Sequence, residues 1–162
     1  AENADFMKSN VELNGCRNVE IIESAIGETI GVVNIFKREA FGHHGMTQKH
    51  VSKTLEINQA PITRLDDFCR NAGIDHVSFL KIDVEGAEIA VLRGFREFLS
   101  RKKVAMIVFE HAPALFDEQE QKAEVFDLLK SFGYAVFDLS GNPIDREHML
   151  NCAHGDFYSK PN

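Results

Sequence analysis

The opening residues ENADFMKSNVEL put Phe6, Met7, Val11 and Leu13 near helical spacing, with Asn14-Gly15 as a stop, and so predict a helix. Residues 18–26 (NVEIIESAI) and 32–36 (VVNIF) are β-branched runs, which predicts two strands with a turn at Gly27 to Gly31. Residues 41–53 are polar and His-rich and read as a surface loop. Pro61 followed by Thr63-x-x-Asp66 resembles a capping box. It would open a short helix through Leu65, Phe68 and Cys69 that Gly73 ends.

The most regular passage follows. Residues 76–84 (HVSFLKIDV) predict a buried strand, 87–99 an amphipathic helix carrying Val91, Phe95 and Phe98, and 104–109 (VAMIVF) a second apolar strand. This βαβ pattern implies a parallel pair. Residues 118–132 predict another helix, with Val125, Leu128, Leu129 and Phe132 on one side and Gly133 past its end; a strand over 134–139 comes next. Ser140-Gly141-Asn142-Pro143 is a turn signal, and 155–160 (GDFYSK) predicts a last, antiparallel strand. The fold class is α/β, in one domain.

Charge narrows the partners. A net charge of -7 argues against a nucleic-acid grip, which needs clustered Lys and Arg to displace counterions, and favours a small or uncharged substrate. Cys16, Cys69 and Cys152 are odd in number and outside any CxxC pairing, so neither a disulfide framework nor a zinc knuckle is suggested and a reducing, cytoplasmic setting is expected. No apolar run approaches the roughly 20 residues that span a bilayer.

In open α/β sheets the chemistry sits beyond the carboxyl ends of the strands. Three such ends carry functional groups: Glu23-Ser24-Ala25, Asp83-Val84-Glu85-Gly86 and Glu110-His111. If the central strand continues through Asp83 and Glu85, both carboxylates share a face about 7 Å apart, close enough to serve one ligand. The alternative stands beside it: an Asp at a strand end caps the next helix, and Glu88 in the first turn complements the helix dipole.

The string KIDVEGAE followed by VLRG, at residues 81–94, resembles the central-strand motif of FkbM-family methyltransferases. ITRLDDF before it resembles that family's lead-in helix, and NVELNGCRNVEIIESAIGE its third-strand region. The resemblance runs from about Asn10 to Glu110. It implies a class I, Rossmann-like sheet of order 3-2-1-4-5-7-6, mostly parallel with an antiparallel last strand. It also implies S-adenosylmethionine bound across the ends of strands one to four, with Glu23, Ser24, Ala25 and Ile26 beside the adenine. Asp83 would face the methionine or the methyl, and Glu85 and Glu110 the acceptor.

One departure is large. The family's acidic-x-Gly-x-x-x-Gly turn and the acidic residue ending strand two have no counterpart, because Gly15, Gly27 and Gly31 lie at the wrong spacing. The resemblance thus implies a chain beginning after strand two, with strands three and four about 14 Å apart and nothing pairing between them.

Methyl transfer from a sulfonium needs positioning and a base for the acceptor proton. Asp83, Glu85, Glu110 and His111 are the candidates; His111 has the ordinary pKa nearest neutrality, though a turn role before Pro113 is the competing explanation. O-methylation of a small-molecule or sugar hydroxyl is the expected reaction, by family analogy. Two other functions remain open: a non-catalytic relic of such a domain, and a hydrolase holding manganese or magnesium on Asp83, Glu85, Glu110 and His111. His43, His44 and His50 lack the rest of a metal shell and read as solvated loop residues.

Overall fold

The computed structural model describes residues 2–38, 54–84, 86–115 and 118–162, and forms two sheets. Helix α1 (Glu2–Leu13) ends where expected, with Gly15 at φ 61° taking the left-handed conformation that a side chain resists. Its apolar positions are not core: Phe6, Met7 and Leu13 are exposed, and Ala4 alone is buried on this helix.

The smaller sheet has the order β1-β3-β2, from β1 (Ala25–Ile26), β2 (Gly31–Arg38) and β3 (Thr54–Thr63). The two strands expected to form a hairpin do not pair with each other. Each pairs with β3 instead, β1 parallel and β2 antiparallel. The predicted strand over 18–26 contracts to two residues. A strand persists only where a neighbour takes up its backbone groups, and among the described residues the ladder begins at Ala25↔Ile62. The predicted loop over 41–53 lies outside the described residues.

Strand β3 also overturns the predicted capping box, since Thr63 is its last residue. Helix α2 (Leu65–Asn71) starts instead after extended Arg64, with no side-chain cap, and Gly73 follows at φ 68°. Asp66 is buried and turned to another helix: its carboxylate accepts from the N–H of Glu97 at 2.9 Å and of Phe98 at 3.2 Å.

The larger sheet has the order β4-β5-β7-β6, from β4 (Leu80–Ile82), β5 (Ile107–His111), β6 (Tyr134–Asp138) and β7 (Gly155–Pro161). Strands β4 and β5 are parallel and β7 is antiparallel to both β5 and β6. This is the expected order for the last four strands and the expected antiparallel last strand. The segment expected to form strand three lies outside this sheet, as β1 of the smaller one.

The single helix predicted over 87–99 is two, α3 (Glu88–Arg93) and α4 (Arg96–Ser100). The break is at Gly94-Phe95, where a Cβ on Gly94 would stand 2.0 Å from the Gly27 carbonyl oxygen. The Gly94 carbonyl in turn accepts from the Asp66 N–H at 3.0 Å. Backbone contact of this kind replaces helix continuity. The helix predicted over 118–132 likewise divides, into a 3-10 turn (Glu120–Ala123) and α5 (Glu124–Ser131). Helix α6 (Arg146–Asn151) was not foreseen; Asp145 caps it by accepting from the His148 N–H at 2.8 Å.

The core lies on one face of the larger sheet. Ile82, Ile107, Phe109, Tyr134, Val136 and Phe157 pack there against Leu92, Phe95, Leu99, Val125, Leu129 and Met149. Burying a side chain of this size contributes about 1.5–3 kcal/mol before entropy is charged. No helix among the described residues is long and apolar enough to cross a membrane.

Candidate functional site

Alternation along the strands decides what each strand end presents. In β5 the residues Ile107, Phe109 and His111 are buried, so Val108 and Glu110 point to the opposite face. In β4 the buried residue is Ile82, which leaves Lys81 on that opposite face. Asp83, two residues on, follows Lys81, and its carboxylate accepts from the Lys81 ammonium at 2.7 Å. The β4/β5 ladder ends at Ile82↔Phe109, and Asp83 and Glu110 are the next residues along the two segments. Glu110 also faces Asp156 of β7 in register.

Asp83, Glu110 and Asp156 therefore lie at one end of the larger sheet, around Lys81. Hydrogen bonding to Asp83, with the nearby charges of Asp156 and Glu110, pushes the Lys81 ammonium above its ordinary pKa. Glu110 has a second partner, His154, whose Nε2 lies 2.5 Å from its Oε1. Neither Asp156 nor His154 figured among the expected site residues.

The turn after β4 is built by Glu88. Gly86 has φ 91°, and a Cβ there would meet Leu115 Cδ1 at 3.2 Å, so a glycine both permits the conformation and makes room. The buried Glu88 carboxylate accepts from the Gly86 N–H at 3.2 Å, with the backbone of Val84 and Glu88 also contributing. Burial pushes this carboxyl above its usual pKa, and Glu110 adds to the rise, against the backbone N–H groups that lower it. Glu88 is thus more than a complement to the helix dipole. Glu85, expected on the acceptor side, lies outside the described residues.

A group whose pKa is raised by folding stabilises the fold below its unfolded value and loses that contribution as pH rises through the folded one. Wild type is accordingly expected to lose stability relative to Glu88→Gln as pH climbs from about 4.3, the ordinary glutamate value. Urea denaturation of both proteins at several pH values between 4 and 8 measures this. Parallel stability curves would refute it.

His111 does not join Asp83 and Glu110. It is 3% exposed on the core face, hydrogen-bonded to the Met149 backbone and edge-on to Phe157 at 6.1 Å. Burial holds its pKa below the ordinary imidazole value, so its contribution to stability is present above about 6.5 and lost as pH falls through the folded value. The expected adenine-side residues lie on the smaller sheet. Glu23 is paired with Lys8, which holds its carboxyl below the usual range, and the Ser24 hydroxyl lies 3.1 Å from the Pro61 carbonyl. Ala25 and Ile26 form β1, and Ile26 packs against the main core. Among the described residues no group of three or more His, Cys, Asp or Glu is arranged to hold a metal ion. His43, His44 and His50 lie outside the described residues.

Asp156 was legible in principle. The strand over 155–160 was predicted as antiparallel, and placing it beside β5 brings Asp156 opposite Glu110. His154 precedes that strand, and only the tertiary register carries it to the same strand end.

Residues 3–136 match the Methyltransferase FkbM domain. Over 70 residues the chain is 37% identical to the 2-O-methyltransferase NoeI of Sinorhizobium fredii (strain NBRC 101917 / NGR234), a segment covering 43% of this chain and 28% of that relative. No solved structure matches the chain. With most of its length inside the domain match, the chain belongs to the FkbM methyltransferase family.

Proposed function

We propose that this chain belongs to an S-adenosylmethionine-dependent methyltransferase that methylates a hydroxyl of a small molecule or sugar. The observation carrying the proposal is the meeting of Asp83 and Glu110 at neighbouring strand ends on one open face, within a chain of this family. The likeness to NoeI, a 2-O-methyltransferase, favours oxygen as the acceptor atom. A class I arrangement of the whole sheet belongs to the same proposal, supported by the β4-β5-β7-β6 order. So does a cytoplasmic setting, supported by three free thiols.

The chemistry of the strand ends suits the methyl donor. When bound, S-adenosylmethionine supplies an activated methyl on a sulfonium, and the sulfonium together with the ammonium of the zwitterionic amino-acid group leaves that end of the molecule with a net positive charge. Asp83, Glu110 and Asp156 form an acidic rim with one lysine among them, a setting that favours a positive ligand over an anionic one. Asp83 would face that cationic end. Glu23, Ser24, Ala25 and Ile26 would line the adenosine side, a part of the proposal that rests on the family likeness alone. Glu110 and Glu85 would face the acceptor, a role that rests on the family likeness.

What remains for the chain's own residues is to hold the acceptor hydroxyl in line and remove its proton. Calorimetric titration of the full-length protein with S-adenosylmethionine tests the donor assignment. Saturable binding is expected, weakened roughly tenfold in Asp83→Asn, the loss that about 1.4 kcal/mol of interaction represents. Absence of binding by the wild type would contradict the proposal.

A further inference from the structure

We propose that His154 is the base that takes the proton of the acceptor hydroxyl, and that Glu110 is the positioning residue that fixes its tautomer. The inference rests on the O-methyl-transfer reading above. It concerns a residue beyond the stretch that matches the family domain, which ends at residue 136.

The other described acid–base groups at these strand ends are paired, buried or given to the donor side. The Asp83 carboxylate is neutralised by Lys81 at 2.7 Å. His111 is buried on the far face of β5. Glu88 is buried and occupied by the backbone of the turn. Asp156 shares its face with Glu110 and lies within the field of Lys81.

His154 differs in both position and chemistry. It stands just before β7, 66% exposed in its side chain, and its ring is held at the carboxyl end of β5 by the contact from Nε2 to Glu110 Oε1. Glu110 itself is largely covered, with 20% of its side chain exposed, so the anchor is less mobile than the ring it holds. An ionised carboxylate only accepts hydrogen bonds. Nε2 must therefore carry the proton, which leaves the Nδ1 lone pair directed away from Glu110 and available. Imidazole is also the side chain best suited to change charge near neutral pH.

In the reaction, the acceptor oxygen gains the methyl carbon and its proton passes to Nδ1. The electron pair of the broken carbon–sulfur bond stays on sulfur, which leaves as a neutral thioether. The resulting imidazolium is paired by Glu110, with Asp83, Asp156 and Lys81 as the other described charges near this end of the sheet. The orienting carboxylate gives up no proton of its own.

Two measurements on the full-length protein test this. Nitrogen-15 spectra of histidine-labelled protein are expected to show His154 as the Nε2–H tautomer, and Glu110→Gln to mix the tautomers. A wild-type His154 carrying its proton on Nδ1 would overturn the assignment whatever the acceptor. With methyl-labelled S-adenosylmethionine and a panel of mono- and oligosaccharides, His154→Ala is expected to lose about 10²–10⁴-fold in kcat with donor affinity unchanged. Glu110→Gln is expected to lose kcat with little change in KM, which mere misfolding would not produce. Wild type that transfers methyl while His154→Ala transfers equally well overturns the base assignment alone. Wild type that binds no donor overturns the methyltransferase reading, and the base assignment with it.

Discussion

Gly94→Ala is expected to destabilise the fold by about 3 kcal/mol, at the upper end of what overpacking costs. The added Cβ would stand 2.0 Å from the Gly27 carbonyl oxygen and 2.9 Å from its carbon, so the obstacle is backbone and no rotamer change relieves it. Moving Gly27 disturbs β1, and moving Gly94 disturbs its carbonyl's bond from the Asp66 N–H. Thermal unfolding would show a loss of about 10 °C, given roughly 2–4 °C per kcal/mol for a chain of this size. Gly73→Ala is the comparison. It has φ 68° with nothing within 4 Å of its Cβ position, so it bears only the conformational strain of about 1 kcal/mol. Equal effects at the two positions would show that the Gly27–Gly94 contact does not constrain the fold.

Asp66→Ala is the second large effect. Helix α4 has no cap from its own preceding residue, and Asp66 supplies one from α2 through its two bonds to Glu97 and Phe98. Truncation removes the cap, for about 1–2 kcal/mol, and leaves amide groups beneath α2 unsatisfied, for a further 1–2 kcal/mol. A total near 3 kcal/mol is expected in urea denaturation. Asp66→Asn keeps one acceptor oxygen and should cost about half as much. A loss under about 0.5 kcal/mol for Asp66→Ala would contradict the capping role.

These positions show where sequence patterns carry information and where they run out. The order of the βαβ passage and the last strand were legible from their apolar runs, although the strand expected over 76–84 narrows to Leu80–Ile82, the one over 104–109 lies at Ile107–His111, and Phe79 and Met106 are exposed. Strand β3 was not legible: TLEINQAPIT carries Pro61 two residues before its end at Thr63, and a proline argues against a strand paired on both sides. The break at Gly94 was equally hidden. Helical periodicity runs through it unbroken, and the cause is a backbone contact with Gly27 some 67 positions earlier. Asp66 looked like a local capping residue because local spacing is all that a linear pattern offers.

The candidate site divides in the same way. Asp83 and Glu110 were found because strand ends in α/β sheets are where ligands bind, a rule that needs only strand boundaries. His111 was selected by the same rule and by its titration range, yet strand alternation turns it into the core. His154 needs the register of β7 against β5, and Glu88 needs the turn that Gly86 permits; neither follows from spacing.

The central claim, methyl transfer to a hydroxyl oxygen, is tested most directly by mass spectrometry of an acceptor panel incubated with the full-length protein and S-adenosylmethionine deuterated at its methyl group. A product heavier by one deuterated methyl, stable to alkali as an ether and absent with His154→Ala, is the expected result. A label on nitrogen or in an alkali-labile ester, or no labelled product from a protein that binds the donor, would contradict it.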